Sequence, residues 1–313
     1  MSETMNPRQA YGEALVALGA RDSRVVALDA DLSKSTMSCL FQQAYPERFF
    51  EMGIAEQSMV STAAGLAAYG KIPFCHTFAV FLAGRAYDQI RQTVSIGRLN
   101  VKLCGSSAGL SDFGDGSTHQ SVEDLALMCA IPGMTVLTPC DALETRQAVE
   151  AAAQIDGPVY IRVVRNDLPV LLSPDSAFVL GQPRVLREGK DVLLAAHGSM
   201  VSRSLDAARR LAQRGIEAKV VSLGTMKPFP YEEMAALARG VRAVVTAEEH
   251  SRVGGLASHM AMALRRMDVP MDYVAVEDCF GQSAHSGEEL MEHYGLTSDA
   301  IERKARALLG VAM

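Results

Sequence analysis

The chain is poor in the features that mark several protein classes. Its six cysteines (Cys39, Cys75, Cys104, Cys129, Cys140 and Cys279) form no CxxC pair and no zinc-ligand spacing. Most sit in apolar runs such as Val101-Lys102-Leu103-Cys104, as buried reduced thiols do. No apolar stretch approaches the ~18 residues of a membrane span, and the polar segment Met1 to Gln9 lacks an apolar signal region. These absences point to a cytoplasmic protein with no membrane association. The arginines are scattered and the net charge is −6, which argues against a dedicated nucleic-acid or anionic-membrane surface. No GxGxxG fingerprint occurs, so a nucleotide-binding dehydrogenase is disfavoured.

What is present is ordinary for a folded protein: 313 residues, 49% hydrophobic and 21% charged. That length suits about two domains of ~150 residues each. Short valine- and isoleucine-rich runs alternate with segments of helical period from end to end. Strands are expected at 24–29, 72–78, 100–106, 134–140 and 158–164, then at 191–196, 217–223, 242–248 and 273–276. Asn6-Pro7 offers a cap and first-turn proline for a helix reaching about Leu18. The stretches 84–96, 122–129 and 142–154 carry apolar residues at three- and four-residue spacing. Strands buried on both faces and alternating with helices imply an α/β fold with an open parallel sheet in each half. The longest stretch of turn residues without a clean period suggests a linker at 173–189, between domains 1–172 and 190–313.

Ligands of such sheets sit at the carboxyl ends of the strands. Glu56, in Met52-Gly53-Ile54-Ala55-Glu56-Gln57, opens a helix rich in small residues. A first-turn carboxylate is ordinarily a dipole or capping partner. The functional alternative is a carboxyl desolvated by Ile54 and Ala55, able to share a proton with a ligand nitrogen. Phe78 and Phe81, just past a strand, form either a hydrophobic staple or a stacking platform for a flat heterocycle. The loop from Gly109 to Gln120 carries glycines together with Asp115, Thr118 and His119, a mixture more usual in working loops than in structural ones. Arg162 and Arg165 interrupt an apolar strand; one suits a core ion pair, the other, at the strand's exit, a phosphate or carboxylate. Gly114-Asp115-Gly116 imitates the start of a thiamine-diphosphate magnesium motif, but the asparagines expected roughly 30 residues on are missing. Gly198-Ser199 is a weak phosphate-type turn, better read as ordinary strand–helix packing.

In order and spacing these pieces resemble the transketolase family over nearly the whole chain. The first domain is similar to the pyrimidine-binding domain of transketolases and deoxyxylulose-phosphate synthases. The second, with VVTAEEHSRVGGLASHM and FGQSAHSGEELMEHYGLT, is similar to their C-terminal domain. The resemblance implies the C-terminal half of a split, thiamine-diphosphate-dependent transketolase, moving a two-carbon ketol unit from a ketose phosphate to an aldose phosphate. Diphosphate and Mg²⁺ would be held mainly by a separate N-terminal subunit, in an α₂β₂ assembly.

Motif by motif, the resemblance makes Glu56 of GIAEQ the partner of N1′ of the aminopyrimidine, and Phe78 and Phe81 of FAVF its stacking pair. In DADLSKS it puts Asp31 near the cofactor and Ser35 near the substrate. In GDGSTHQ it turns His119, as a catalytic group, to the donor sugar's oxygens and Asp115 to its C2 hydroxyl. Arg8 and Arg165 of RVVRND match positions that bind the sugar phosphate. One position departs: the family's phosphate-binding histidine falls at about Gly105 in CGSSAGL, which opens sulfo-sugar and branched-sugar phosphates as substrates. Two rivals stay open at this level: a β-type chain of a 2-oxo-acid dehydrogenase, and a non-catalytic partner that kept the fold.

Overall fold

The computed structural model describes residues 3–311. Its strands, in chain order, are β1 (Thr4–Met5), β2 (Val25–Asp29), β3 (Phe49–Glu51), β4 (Ile72–Phe78), β5 (Lys102–Ser106), β6 (Thr135–Leu137), β7 (Val159–Arg162) and β8 (Leu168–Pro169). They continue with β9 (Arg184–Arg187), β10 (Val192–Ala196), β11 (Ala218–Ser222), β12 (Thr225–Lys227), β13 (Ala243–Ser251) and β14 (Met271–Val276). A seven-stranded sheet has the order β12-β6-β7-β5-β4-β2-β3, and a five-stranded sheet the order β14-β13-β10-β11-β9. Within each, every pairing is parallel except the edge strands β12 and β9. The α/β class with two open sheets is therefore the observed one.

All nine expected strands are present, with ends moved for identifiable reasons. The strand expected over 134–140 stops at Leu137, because Thr138 donates its backbone N–H to the Gly224 carbonyl and Cys140 donates to the Glu144 carboxylate. The strands that sequence reasoning passed over are short edge pieces. β9 lies inside the stretch expected as linker and sets an arginine at each end of two apolar residues (RVLR), all four half-buried, which suits an edge position but gives no period-2 signal. β12 belongs to the second half of the chain yet adds to the edge of the first sheet, so the two halves interlock.

Periodicity also misjudged 84–96 as one regular helix. Two π-helical turns, Phe81–Arg85 and Ile90–Ser95, flank the short helix Tyr87–Gln89. Such wide turns displace side chains from the 3.6-residue register and recur at functional sites. This one carries both Phe81 and Arg85.

Alternate residues of β2 enter different cores, as a strand covered on both faces requires. Val25 and Ala27 pack with Phe74, Val159 and Ile161, while Val26 and Leu28 pack with Leu103 and Val136. The second of these cores runs on without a break into Leu193, Val221, Met226 and Met260 of the other half, so the interdomain contact is itself hydrophobic core. No helix among the described residues is long and apolar enough to cross a membrane.

A charged seam crosses this apolar contact. Arg162, on β7, is the core ion pair: its Nε donates to Asp124 Oδ2 at 2.9 Å, and Tyr160 donates to the same oxygen at 2.8 Å. Arg162 also donates through Nη2 to the backbone carbonyl of Glu249, at 2.9 Å, on β13 of the second sheet. The Glu249 side chain then accepts from the Leu110 backbone N–H at 2.7 Å and from the Ser199 hydroxyl. Ser199, read as ordinary packing, thus secures a carboxylate that fastens the glycine-rich loop.

Removing one member of a buried charge pair strands the other. Asp124→Ala should therefore lower stability by about 3–5 kcal/mol in urea unfolding. A loss below about 1 kcal/mol would show that the seam is not a stability element.

Candidate cofactor and substrate site

The site is assembled at the carboxyl ends of β2, β4, β5 and β7, as the rule for open sheets requires. Glu56 begins the helix Glu56–Ala68 and is 1% exposed. Its surroundings differ from the expected apolar pocket in one respect. Ile54 turns outward, 75% exposed, and the carboxylate is instead held by Arg85, whose Nη1 lies 2.8 Å from both Oε1 and Oε2. An isolated buried carboxylate is costly, and the guanidinium supplies the pairing that burial demands. Arg85 was not anticipated; the signal that could have found it was the glycine-containing FLAGR segment directly after the aromatic pair.

Phe78 and Phe81 stack with ring centroids 6.0 Å apart and planes inclined by 15°. His119 meets both rings edge-on, 5.2 Å from Phe81 and 6.1 Å from Phe78, and its Nδ1 shares a 2.9 Å hydrogen bond with the Thr118 hydroxyl. Arg85 covers Phe81 as well, its Cζ 4.7 Å from the ring centroid. Four candidates spaced widely in sequence are therefore linked in one cluster: Glu56 and Phe81 share the Arg85 guanidinium, and Phe81, Phe78 and His119 meet ring to ring.

A second group lies beside it. Arg8 donates to the Ser35 carbonyl at 2.8 Å, and Arg165 donates to Asp112 Oδ2 at 2.8 Å. Asn6 caps the helix that carries Arg8 and joins it to the exit of β7, donating to the Arg165 carbonyl at 3.2 Å and to Asp167 at 2.7 Å. Burial pulls the Arg8 pKa down, as does the neighbouring Arg165 cation, against the opposing pull of Asp112 and Asp167. Burial pushes Asp112 up, while Arg165 holds it back. Two cations and two carboxylates thus share this corner, and Asp112 and Asp167 were not anticipated.

The glycine-rich loop links the two groups, carrying His119 to the rings and Asp112 to Arg165. Asp115 is exposed on the same loop. Two of the loop's three glycines are dictated by the other domain. At Gly109 (φ +67°) a Cβ would lie 2.4 Å from Glu249 Oε1, and at Gly116 (φ +76°) 2.5 Å from Ser283 Oγ. Gly105 admits no side chain at all, since a Cβ there would lie 2.2 Å from the Tyr160 hydroxyl. The next two residues, Ser106 and Ser107, bury hydroxyls without hydrogen-bond partners among the described residues, and Ser107 holds the strained φ of +50°.

Asp31 is exposed with φ +64°, and its backbone N–H donates to Glu51 Oε1 at 2.9 Å. The same oxygen accepts from Gly53 at 3.0 Å, so Glu51 ties the Asp31 loop to the segment leading into Glu56. The organiser of the Asp31–Ser35 loop is the buried Asp29. It accepts from the Leu32 N–H (2.6 Å) and from the hydroxyls of Thr36 (2.8 Å) and Ser38 (2.7 Å).

These residues fit one end of thiamine diphosphate. A buried carboxylate beside a pair of aromatic rings offers a hydrogen-bond acceptor and an apolar face, the two features an aminopyrimidine ring can use. Comparison with known proteins decides the lineage. The transketolase pyrimidine-binding domain matches residues 3–170, and the transketolase C-terminal domain matches 181–301. The chain belongs to the transketolase family. A 6-deoxy-6-sulfo-D-fructose transketolase subunit from Clostridium sp. is 43% identical over 299 residues, covering 95% of this chain and 92% of that protein. A split-gene transketolase solved as an inactive β4 tetramer is 45% identical with a TM-score of 0.88, covering 99% of this chain and all of that one. Human transketolase is 36% identical over 309 residues, but the 96% of this chain that aligns spans only 49% of it. The chain is thus the C-terminal half of a split transketolase, and the family implies dependence on thiamine diphosphate. The comparisons do not favour a 2-oxo-acid dehydrogenase β-type chain.

Asp29 provides a pH-dependent test of the site's frame. Burial raises its carboxyl from 3.8 to about 6, against the three donors that favour the anion. The folded state therefore binds this proton more tightly than the unfolded chain does. The resulting stabilisation is complete below pH 3.8 and lost as pH rises through about 6. The stability of wild type minus that of Asp29→Asn should fall by about 3 kcal/mol across this window. A flat difference in urea titrations at a series of pH values would refute the assignment.

Proposed function

We propose that this transketolase subunit supplies the pyrimidine-facing half of an active site whose diphosphate and Mg²⁺ are held by a partner N-terminal subunit. The observation that carries the reading is the buried Glu56 carboxylate beside the Phe78–Phe81 pair, with His119 against the same rings. The similarity to subunits of split transketolases supports placing the diphosphate-binding half on a second chain, in an α₂β₂ assembly. That the split-gene neighbour is inactive as a β4 tetramer agrees with this division of labour.

The bound cofactor supplies the carbanion equivalent needed to cleave and form carbon–carbon bonds at the sugar carbonyl. The protein's part is to position and to move protons. Glu56 shares a proton with N1′ of the aminopyrimidine, and burial keeps water from competing for that hydrogen bond. Phe78 and Phe81 hold the ring by stacking, and Asp31 borders the cofactor. His119 hydrogen-bonds the donor's oxygens and assists proton transfer during cleavage, while Asp115 and Ser35 orient the sugar. Arg8 and Arg165 bind the substrate's anionic terminus, a contribution of uniform binding.

The donor is a ketose phosphate and the acceptor an aldose phosphate. A sulfonate-bearing ketose is the second reading, and Asp112 favours it. A carboxylate seated on Arg165 tolerates a monoanionic sulfonate better than a phosphate carrying about −1.5 to −2 charges. The similarity to the sulfo-fructose subunit of Clostridium points the same way.

Two-carbon transfer should be measured in the reconstituted two-chain enzyme, with ketose phosphate and 6-deoxy-6-sulfo-ketose as competing donors. Glu56→Gln should lower kcat by at least about 100-fold with assembly intact, and His119→Ala should raise donor KM as well as lower kcat. Near-normal turnover in Glu56→Gln would remove Glu56 from its role. Release of CO₂ from an oxo acid in place of ketol transfer would overturn the whole reading.

A further inference from the structure

The two features that suit an aminopyrimidine are already in use. One guanidinium donates to both oxygens of Glu56 at 2.8 Å and lies 4.7 Å from the centre of the Phe81 ring. Arg85 therefore presents a planar, delocalised hydrogen-bond donor to the carboxylate and a flat face to the aromatic platform. A pyrimidine ring held by the same residues must make the same two contacts.

We propose that Arg85 is an internal stand-in for the cofactor's aminopyrimidine: it occupies the Glu56–Phe81 seat in the unloaded chain and vacates it when the cofactor binds. This inference rests on the thiamine-diphosphate reading above. Three observations carry it. The first is burial: Glu56 is 1% exposed, so without a ligand its charge must be met by a protein group. The second is access: the Arg85 side chain is 47% exposed, so the guanidinium sits at the mouth of the seat with solvent on its other side and a way out. The third is the backbone. Phe81 and Arg85 are the first and last residues of one π-helical turn, which places the ring and the cation that covers it on the same device.

The exchange balances when one proton is taken up from solvent. Glu56 gives up the Arg85 cation and shares that proton with the ring nitrogen, Phe81 trades one flat partner for another, and the released guanidinium is rehydrated or meets the arriving subunit. The unloaded site keeps its carboxylate satisfied at the expense of cofactor affinity, since every binding event must first displace Arg85.

A residue that merely supported the fold would weaken cofactor binding when lost; a stand-in would strengthen it. Thiamine diphosphate with Mg²⁺ should be titrated calorimetrically into the reconstituted two-chain assembly, as wild type and as Arg85→Met. The variant is expected to bind about tenfold more tightly or better, because the competitor is gone and Glu56 is left wanting a donor. In the isolated chain the same change should lower Tm, and Glu56→Gln added to it should recover most of the loss. Should Arg85→Met fail to assemble, Arg85→Gln, a planar neutral donor, is expected to shift Kd in the same direction by a smaller factor. Unchanged or weaker binding, in assemblies whose wild-type control binds, would overturn the stand-in and leave the cofactor reading intact. No binding by the wild-type assembly would instead overturn the cofactor reading, and this inference with it.

Discussion

The buried pair between Arg162 and Asp124 is the constraint on which the rest of the structure depends. Arg162 ends the fully buried strand β7, and its charge is met on one side by Asp124 and on the other by the Glu249 backbone carbonyl of the second sheet. Such a pair contributes little net stability beside an apolar substitute, but it penalises any arrangement in which its partners are apart. The halves of the chain also share an apolar core, and apolar contact alone tolerates sliding. Fixed hydrogen-bond geometry does not. The seam therefore sets the register between the two sheets, and Glu249 passes that register to the glycine-rich loop through the Leu110 N–H.

From that loop the consequence reaches the chemistry. Gln120 donates to the Asp112 carbonyl and to the Gln282 carbonyl of the second domain, and Ala284 donates to the Phe113 carbonyl. The second domain thus acts as a mould against which the loop is pressed, and the loop delivers His119 to the aromatic pair and Asp112 to Arg165. Burial pushes the carboxyls of both Glu248 and Glu249 upward, with His250 and the Arg162 guanidinium respectively as the main opposing influences. A mould built on buried acids is costly to form and, once its hydrogen bonds are made, holds the loop in one place.

Much of this was legible in the sequence, and the exceptions have physical causes. Long valine-rich runs that are covered on both faces announce themselves, so all nine expected strands exist. Edge strands such as β9, four half-buried residues with an arginine at each end, carry no such pattern, and β12 is defined by a partner from the other half of the chain. Glu56, the phenylalanines and His119 were readable because their motifs are local and unusual in composition. Arg85 was not, because a period count assumes 3.6 residues per turn and the π-helical turn breaks that rule. Asp29 was passed over for Asp31, two residues later. Sequence shows two aspartates in one loop; only the fold shows which one the chain buries and bonds three times.

The pairing of Glu56 with Arg85 exposes a problem that any half-site must solve. A site whose carboxylate is buried to 1% exposure cannot leave that charge unmet. It needs a group that satisfies the carboxylate without sealing the seat, and an arginine on a long stem, half in solvent and resting on the same ring, meets both demands. Lysine would satisfy the charge without covering the ring, and a neutral amide would cover the ring without meeting the charge. The residue type, the wide turn that carries it and the exposure of its outer face therefore meet two demands at once, a partner for the buried carboxylate and a seat that stays accessible from solvent.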